Sequence, residues 1–337
     1  AFLPHRSIDH THADLILALT SQKQWKDLLK EALGPHIAIL PYLTPGLALA
    51  KGVLEKYEDN PNVEAVVVAQ HGIFTFGEDA RTAYERMVDY VGRAEAFLKR
   101  KAHGRALGVS PAESKPAEKM ASSLARFNQA IRGACAFRSP DGRLRRFYTE
   151  VRAGNDLAKA ASASTAPRLC SSGVLSPDHV IRTKNKWVPF GEIPEDDGQL
   201  KQAVQEAVKV HVEEYDRTFA EQSIIKGTHP GKLDPYPRVF LVAGLGIVTL
   251  GFTRKDARIA ADIAEHTLRV KLLADEVGEY VPIAESHVFD MEYWSLQQKK
   301  LGKVSPLPLQ GQIAVVTGAG GAIGLGIADR LLAAGAV

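Results

Sequence analysis

The 337-residue sequence predicts a layered α/β protein: two related strand–helix units and a final strand, glycine-rich turn and helix. Three observations carry this. Apolar strands alternate with amphipathic helices through the first hundred residues. The segments 68–77 (VAQHGIFTFG) and 242–251 (VAGLGIVTLG) share six of ten residues. Near the end, an apolar run meets a glycine-rich turn and a second apolar helix.

Composition sets bounds. The length suits two to three domains, and 45% hydrophobic with 24% charged residues is ordinary for a soluble globular chain. A net charge of +3 is too slight for nucleic acid, and no basic run is interleaved with aromatics. Cys135 and Cys170 are the only cysteines, so a reducing cytoplasm is the expected compartment. The longest apolar run, 239–252, holds three glycines and is too short to span a bilayer. Neither end reads as a domain boundary, so a piece of a longer protein is expected.

The stretch Ile8-Asp9-His10-Thr11-His12-Ala13-Asp14 opens the first unit. Histidines two apart share one face of an extended strand, which makes half of a metal site. An H-x-H pair arises by chance in roughly four chains of ten with this histidine content, so it needs support. His71 gives it, ending the apolar run 63–70 before Gly72, where open sheets place ligands.

The elements follow in order. Gln24–Leu33 reads as a helix closed by Gly34-Pro35. His36–Leu43 is a strand whose proline marks an edge, and Leu47–Glu58 is a helix. After the strand ending at His71 comes IFTFG, then a helix over 79–100 with apolar residues at Ala80, Tyr84, Met87, Val91, Ala94 and Leu98. Residues 101–120 are a linker by composition. A helix near 119–132, a turn at Pro140-Asp141-Gly142 and a strand over 145–151 open the second unit. The DGRLRR run at 141–146 reads as a solvated turn.

The second unit is expected to be a degenerate copy of the first. Besides the shared hairpin, Asp79-Ala80-Arg81 recurs, three residues later in relative terms, as Asp256-Ala257-Arg258, and Ser7–His10 matches Ser176-Pro177-Asp178-His179. On that alignment Ile181 and Leu245 stand where the first unit has His12 and His71, and neither binds a metal. Past a linker at 303–311, Ile313–Val316 reads as a strand before glycines that admit a pyrophosphate to a helix N-terminus.

HTHAD with a distant HGIFTFG and a helix opening DARTAYERM resembles the class II aldolase/adducin family. VVTGAGGAIG resembles the opening of a short-chain dehydrogenase. With PDHVIRTK, ARIAADIAEHT and FDMEYWSLQQ, the order of parts resembles the bifunctional rhamnulose-1-phosphate aldolase/short-chain dehydrogenases over essentially the whole chain. The resemblance implies part of an aldolase/adducin domain at 1–105, a linker at 106–120, the degenerate repeat at 121–302 and the start of a Rossmann domain at 303–337. It implies rhamnose catabolism: cleavage of a ketose 1-phosphate to dihydroxyacetone phosphate and L-lactaldehyde, then NAD-dependent oxidation of the aldehyde. By position, His10, His12 and His71 are the ligands of Zn²⁺ or another divalent ion, and no Schiff-base lysine is needed. Gly318, Ala322 and Gly324 fall on the cofactor-binding turn, with alanine at the pattern's middle glycine. Family members also form symmetric homo-oligomers.

No catalytic residue is assigned. The family's catalytic glutamate and phosphate loop precede the metal pair, and the dehydrogenase's serine and Tyr-x-x-x-Lys pair do not occur after residue 316. The chain alone is therefore expected to be inactive. Two other readings remain: an adducin-like scaffold without catalysis, disfavoured by the three histidines, and a dehydrogenase with an accessory domain. His5, His36, His103, His211, His266 and His287 read as ordinary surface or packing residues.

Overall fold

The computed structural model describes residues 3–102, 118–138, 142–301 and 307–337. The chain folds into two compact units, 1–110 with 172–180 and 266–288, and 111–171 with 181–265 and 289–337. Segments 172–180 and 266–288, which lie inside 121–302, thus pack in the first unit.

The first unit begins with β1 (Ser7–Thr11), α1 (Asp14–Thr20), α2 (Trp25–Leu33) and β2 (Ile37–Leu40). It continues with α3 (Leu47–Asp59), β3 (Ala65–Val68), β4 (Gly72–Gly77) and α4 (Ala80–Lys101). The sheet order is β1-β4-β3-β2, with β2 parallel to β3 and the other pairs antiparallel. Strand β3 (AVVV) is interior and buried throughout, which suits a run of β-branched side chains. Strand β2 lies at the edge and stops one residue before Pro41, which could not extend the ladder.

Helix α4 is capped by Asp79, whose carboxylate accepts the Thr82 N–H at 2.8 Å. Its buried stripe is Ala83, Met87, Tyr90, Ala94, Phe97 and Leu98. Tyr84, expected in that stripe, is exposed. The 22-residue helix offers two apolar faces, and the one carrying Tyr90 wins because its hydroxyl reaches Glu64 at 3.0 Å.

The second unit opens with α5 (Glu118–Ala134), β5 (Phe137–Arg138), β6 (Leu144–Arg145) and β7 (Tyr148–Ala153). The expected strand over 145–151 is therefore two strands. Arg145 of the expected solvated turn is only 6% exposed, and Pro140 and Asp141 lie outside the described residues. There follow α6 (Asn155–Ser162), α7 (Ala166–Ser171), a 3-10 turn (Pro177–His179), α8 (Val180–Thr183) and β8 (Val188–Phe190). Next come α9 (Asp197–Lys226), β9 (Val239–Val242), β10 (Gly246–Gly251) and α10 (Arg254–Val277). The last helices are α11 (Glu285–Glu292), α12 (Ser295–Lys299) and α13 (Ala322–Ala333).

This unit's sheet runs β7-β10-β9-β8, again with one parallel pair at the edge, β8 with β9. Its hairpin register repeats the first: Val68 faces Gly72 and Ala65 faces Thr75, as Val242 faces Gly246 and Val239 faces Thr249. Thr75 Oγ1 donates to the Ala83 carbonyl and Thr249 Oγ1 to that of Ala257, both at 2.8 Å. The Asp-Ala-Arg match is therefore one helical turn out of step, because Ala83, not Ala80, stands where Ala257 does. The Asp79 cap has its counterpart in Thr253, which accepts the Asp256 N–H at 3.0 Å.

The match of Ser7–His10 to Ser176–His179 fails as well. The latter forms a 3-10 turn, and the strand against β10 is β7. Thr11 faces Ile73 and His10 faces Phe74; Arg152 faces Ile247 and Val151 faces Val248. Aligned through their hairpins, Val151 stands at the place of His10, Ala153 at that of His12 and Leu245 at that of His71. Ile181 has no part in it.

Residues 313–316 form no strand. Their backbone partners reach only Val337, through Ala314 N–H to its carbonyl at 3.0 Å and its own N–H to Gln312 at 2.7 Å. A buried parallel strand needs neighbours on both sides; here Val315 is 88% exposed. No helix among the described residues is long and apolar enough to cross a membrane. Cys135 and Cys170 are buried and form no disulfide.

Candidate metal centre

The centre is built where β1 ends and the β3–β4 hairpin turns. Gly72 makes the close approach possible: a Cβ there would lie 2.3 Å from the Thr11 carbonyl and 3.2 Å from the His10 ring. His10 stacks on Phe74 with ring centres 3.9 Å apart. His71 follows Gln70, whose φ of +55° is a left-handed conformation rare outside glycine. The Gln70 amide donates to the Val281 and Pro282 carbonyls, each at 2.9 Å, and holds that turn.

These supports bring His10, His12 and His71 together, with one ring nitrogen from each within 4.8 Å of the others. His10 Nδ1 donates to the Ile73 carbonyl at 3.0 Å, leaving Nε2 as a lone-pair nitrogen. The Ser176 hydroxyl lies 3.1 Å from His12 Nδ1 and orients that ring. His12 Nε2 lies 3.1 Å from His10 Nε2, within hydrogen-bonding distance. His71 is 4% exposed and its Nδ1 has no hydrogen-bond partner. Three converging imidazoles, one of them with a buried orphan nitrogen, are well matched to a cation.

The electrostatics agree. Burial lowers the His10 pKa, against its bond to Ile73 and the charge of Asp178. Burial, then His12 and His10, holds His71 down to about 3. Neutral imidazoles are the form that ligates a metal.

Three residues near the trio escaped the sequence. Ser176 orients His12 from 164 residues away, and Asp178 sits close enough to bias His10 and His71. His266, read as ordinary, places Nδ1 3.0 Å from Asp14 and packs edge-on against His179 at 5.0 Å. No local spacing could announce such contacts. His5, by contrast, stacks on Phe76 as a packing residue, and His103 lies outside the described residues.

At the glycine-rich turn, Gly318 has φ +70° and Gly324 meets it closely, since a Cβ there would lie 2.2 Å from the Gly318 carbonyl. Ala322 opens α13 with its methyl exposed, so it costs the turn nothing.

Fold and site together define a mixed α/β protein with a histidine trio at a hairpin mouth, positioned by a glycine and a left-handed glutamine. The chain belongs to the class II aldolase family: residues 122–301 match the family described as "Aldolase class II, second domain", and 1–98 match "Class II Aldolase and Adducin N-terminal domain". Among curated proteins it is similar to "Uncharacterized oxidoreductase YuxG" of Bacillus subtilis (strain 168), 26% identical over 341 residues. That match takes in 99% of this chain and 48% of the relative, so the chain spans about half the relative's length. Among solved structures, the N-terminal class II aldolase domain of a conserved protein from Thermoplasma acidophilum is 36% identical, over 29% of this chain and 44% of that one, at a TM-score of 0.27. A sugar-phosphate aldolase from Thermotoga maritima is 27% identical, over 29% and 46%, at a TM-score of 0.26.

Proposed function

We propose that the trio is the metal centre of an aldolase that cleaves a ketose 1-phosphate, rhamnulose 1-phosphate, into dihydroxyacetone phosphate and L-lactaldehyde. The observation that carries this reading is the convergence of His10, His12 and His71, with one ring nitrogen from each within 4.8 Å of the others. His10 and His12 would present Nε2 to Zn²⁺ or a similar divalent ion. Such an ion supplies Lewis-acid charge beside the carbonyl and hydroxyl oxygens of a bound sugar. The chain's own work is to fix the His10 tautomer through Ile73, to orient His12 through Ser176, and to hold His10 and His71 neutral by burial.

The remainder of the reading rests on pattern. The second unit is a degenerate copy of the first, keeping the hairpin and replacing the trio with Val151, Ala153 and Leu245. The turn at Gly318, Ala322 and Gly324 opens a dinucleotide-binding domain that would oxidise the released aldehyde with NAD. The protein acts in the cytoplasm as a homo-oligomer on a small sugar phosphate.

Elemental analysis of the purified protein tests the centre, with dihydroxyacetone phosphate release from rhamnulose 1-phosphate tested beside it. About one divalent ion per chain is expected, lost in His12→Ala and His71→Ala. Appreciable cleavage by this chain alone is not expected, so metal content carries the test. Metal content indifferent to both substitutions would sink the proposal.

A further inference from the structure

Asp14 and His266 form a carboxylate–imidazole pair beside the trio. The Asp14 Oδ1 accepts from His266 Nδ1 at 3.0 Å, the role open to a carboxylate. Their side chains are 49% and 29% exposed. A pair this open to solvent adds little to stability, so its place in the fold has to account for it.

That place is the junction of β1 and α1. Asp14 is the first residue of α1 and stands two residues after His12. The residues from Ile16 to Thr20 are all buried, so the helix is anchored in the core, and its first turn fixes how the chain leaves β1. Ala13, at the N-cap, has no side-chain bond to close that turn. The grip of His266 on Asp14 is thus the side-chain tie at the point where the chain passes from His12 into the helix.

The same neighbourhood reaches His12 from a second direction. Ser176, 3.1 Å from His12 Nδ1, precedes the 3-10 turn that carries His179. His179 packs edge-on against His266 at 5.0 Å. Burial, then the charges of His266 and His12, hold its pKa down to about 3. A neutral, buried imidazole therefore neighbours both the pair and one of the three histidines.

The second unit supplies the contrast. On the hairpin alignment that puts Ala153 at the place of His12, Asn155 takes that of Asp14, and it too opens a helix, α6. Its side chain is an exposed amide. The unit without the trio is also without the carboxylate, so the pair goes with the imidazoles and not with the shared scaffold.

We propose that His266 is a positioning residue of the metal centre: by holding Asp14 it fixes the β1–α1 junction, and through that backbone the direction in which His12 presents its ring. This rests on the reading of the trio as a metal site. His266 is not one of the converging imidazoles; it acts through Asp14. Such a tie matters because a ligand set works only when held within about 0.5 Å of its productive geometry.

The test is the Zn²⁺ and Co²⁺ affinity of the whole chain, by competition with a chromogenic chelator, with the visible absorption of the Co²⁺ form read beside it. His266→Leu and Asp14→Ala should each weaken binding about tenfold, and the double variant no more than either alone. The amide nitrogen of an asparagine falls near the place of Nδ1 and can donate to Asp14, so His266→Asn should recover most of the affinity. The Co²⁺ bands should shift in His266→Leu and return in His266→Asn, with urea melts unchanged in both. Asn155→Ala, the matching change in the second unit, should alter neither affinity nor bands. A wild type that took up no ion would overturn this proposal together with the metal centre. Where the wild type binds, four results would each overturn this proposal alone: affinity or bands unchanged in His266→Leu, no recovery in His266→Asn, additive losses in the double variant, or affinity lost only in step with the fold.

Discussion

At the mouth of the β3–β4 hairpin, Gln70 takes φ +55°; at the same place in β9–β10, the chain has Gly244 at φ +74°. Both turns are left-handed there, and only the second uses the residue that suits it. A side chain in this conformation costs about 1–2 kcal/mol over glycine, and Gln70 offsets that with two amide hydrogen bonds. The next position differs in the same sense. His71 is a buried imidazole with an orphan nitrogen, whereas Leu245 is buried and needs no partner. One hairpin is comfortable and chemically blank. The other carries two local penalties side by side, which is how a site differs from a scaffold built on the same ladder.

Exchanging residues across the two hairpins breaks the comparison most sharply. His71→Leu should lower divalent metal affinity by more than about 100-fold, read by competition with a chromogenic chelator. Without metal the same variant should gain about 1 kcal/mol in urea melts, since the orphan nitrogen is gone. Leu245→His should lose about 2 kcal/mol and gain no ion.

The glycines test the scaffold that both share. Gly72→Ala and Gly246→Ala each drive a methyl toward a carbonyl, of Thr11 at 2.3 Å and of Arg152 at 2.5 Å. Both should cost about 1–3 kcal/mol, but only Gly72→Ala should also reduce bound metal. If Gly246→Ala reduced it equally, the separation of roles would be wrong.

Ser176→Ala removes the hydroxyl that orients His12. Metal affinity should fall about tenfold, with the melting profile little changed. The smallest effect should come from Gln70→Gly. Relief of the left-handed strain and loss of two hydrogen bonds nearly offset, for a net cost of about 1 kcal/mol.

Much of the first unit was legible because its signals are local. Gly34 ends α2, Pro41 ends β2, and four consecutive aliphatic residues mark β3. The three histidines met because a two-residue spacing at the end of β1 and a glycine after His71 are both properties of strands and turns. What was illegible depends on distance. Ser176 approaches His12 from a turn whose sequence, SPDH, imitates SIDH and misled the alignment; the true counterpart of β1 is β7, which shares none of its residues in register. Arg145 hid in a polar run that reads as a surface turn. The 313–316 run has the composition of a strand, and composition cannot supply the neighbours that make one.

The Thr75 bond to Ala83 spans eight residues, while the bond from Ser176 to His12 spans 164. The two sit at opposite ends of the order in which a chain can form its contacts, because closing a longer loop costs more entropy. The β3–β4–α4 module can therefore assemble early, and the histidine environment is completed late, when the 172–180 segment arrives. Thr75→Val should then slow refolding, whereas Ser176→Ala should leave refolding alone and act only on unfolding. The nascent protein would own its hairpin well before its three histidines had all their neighbours.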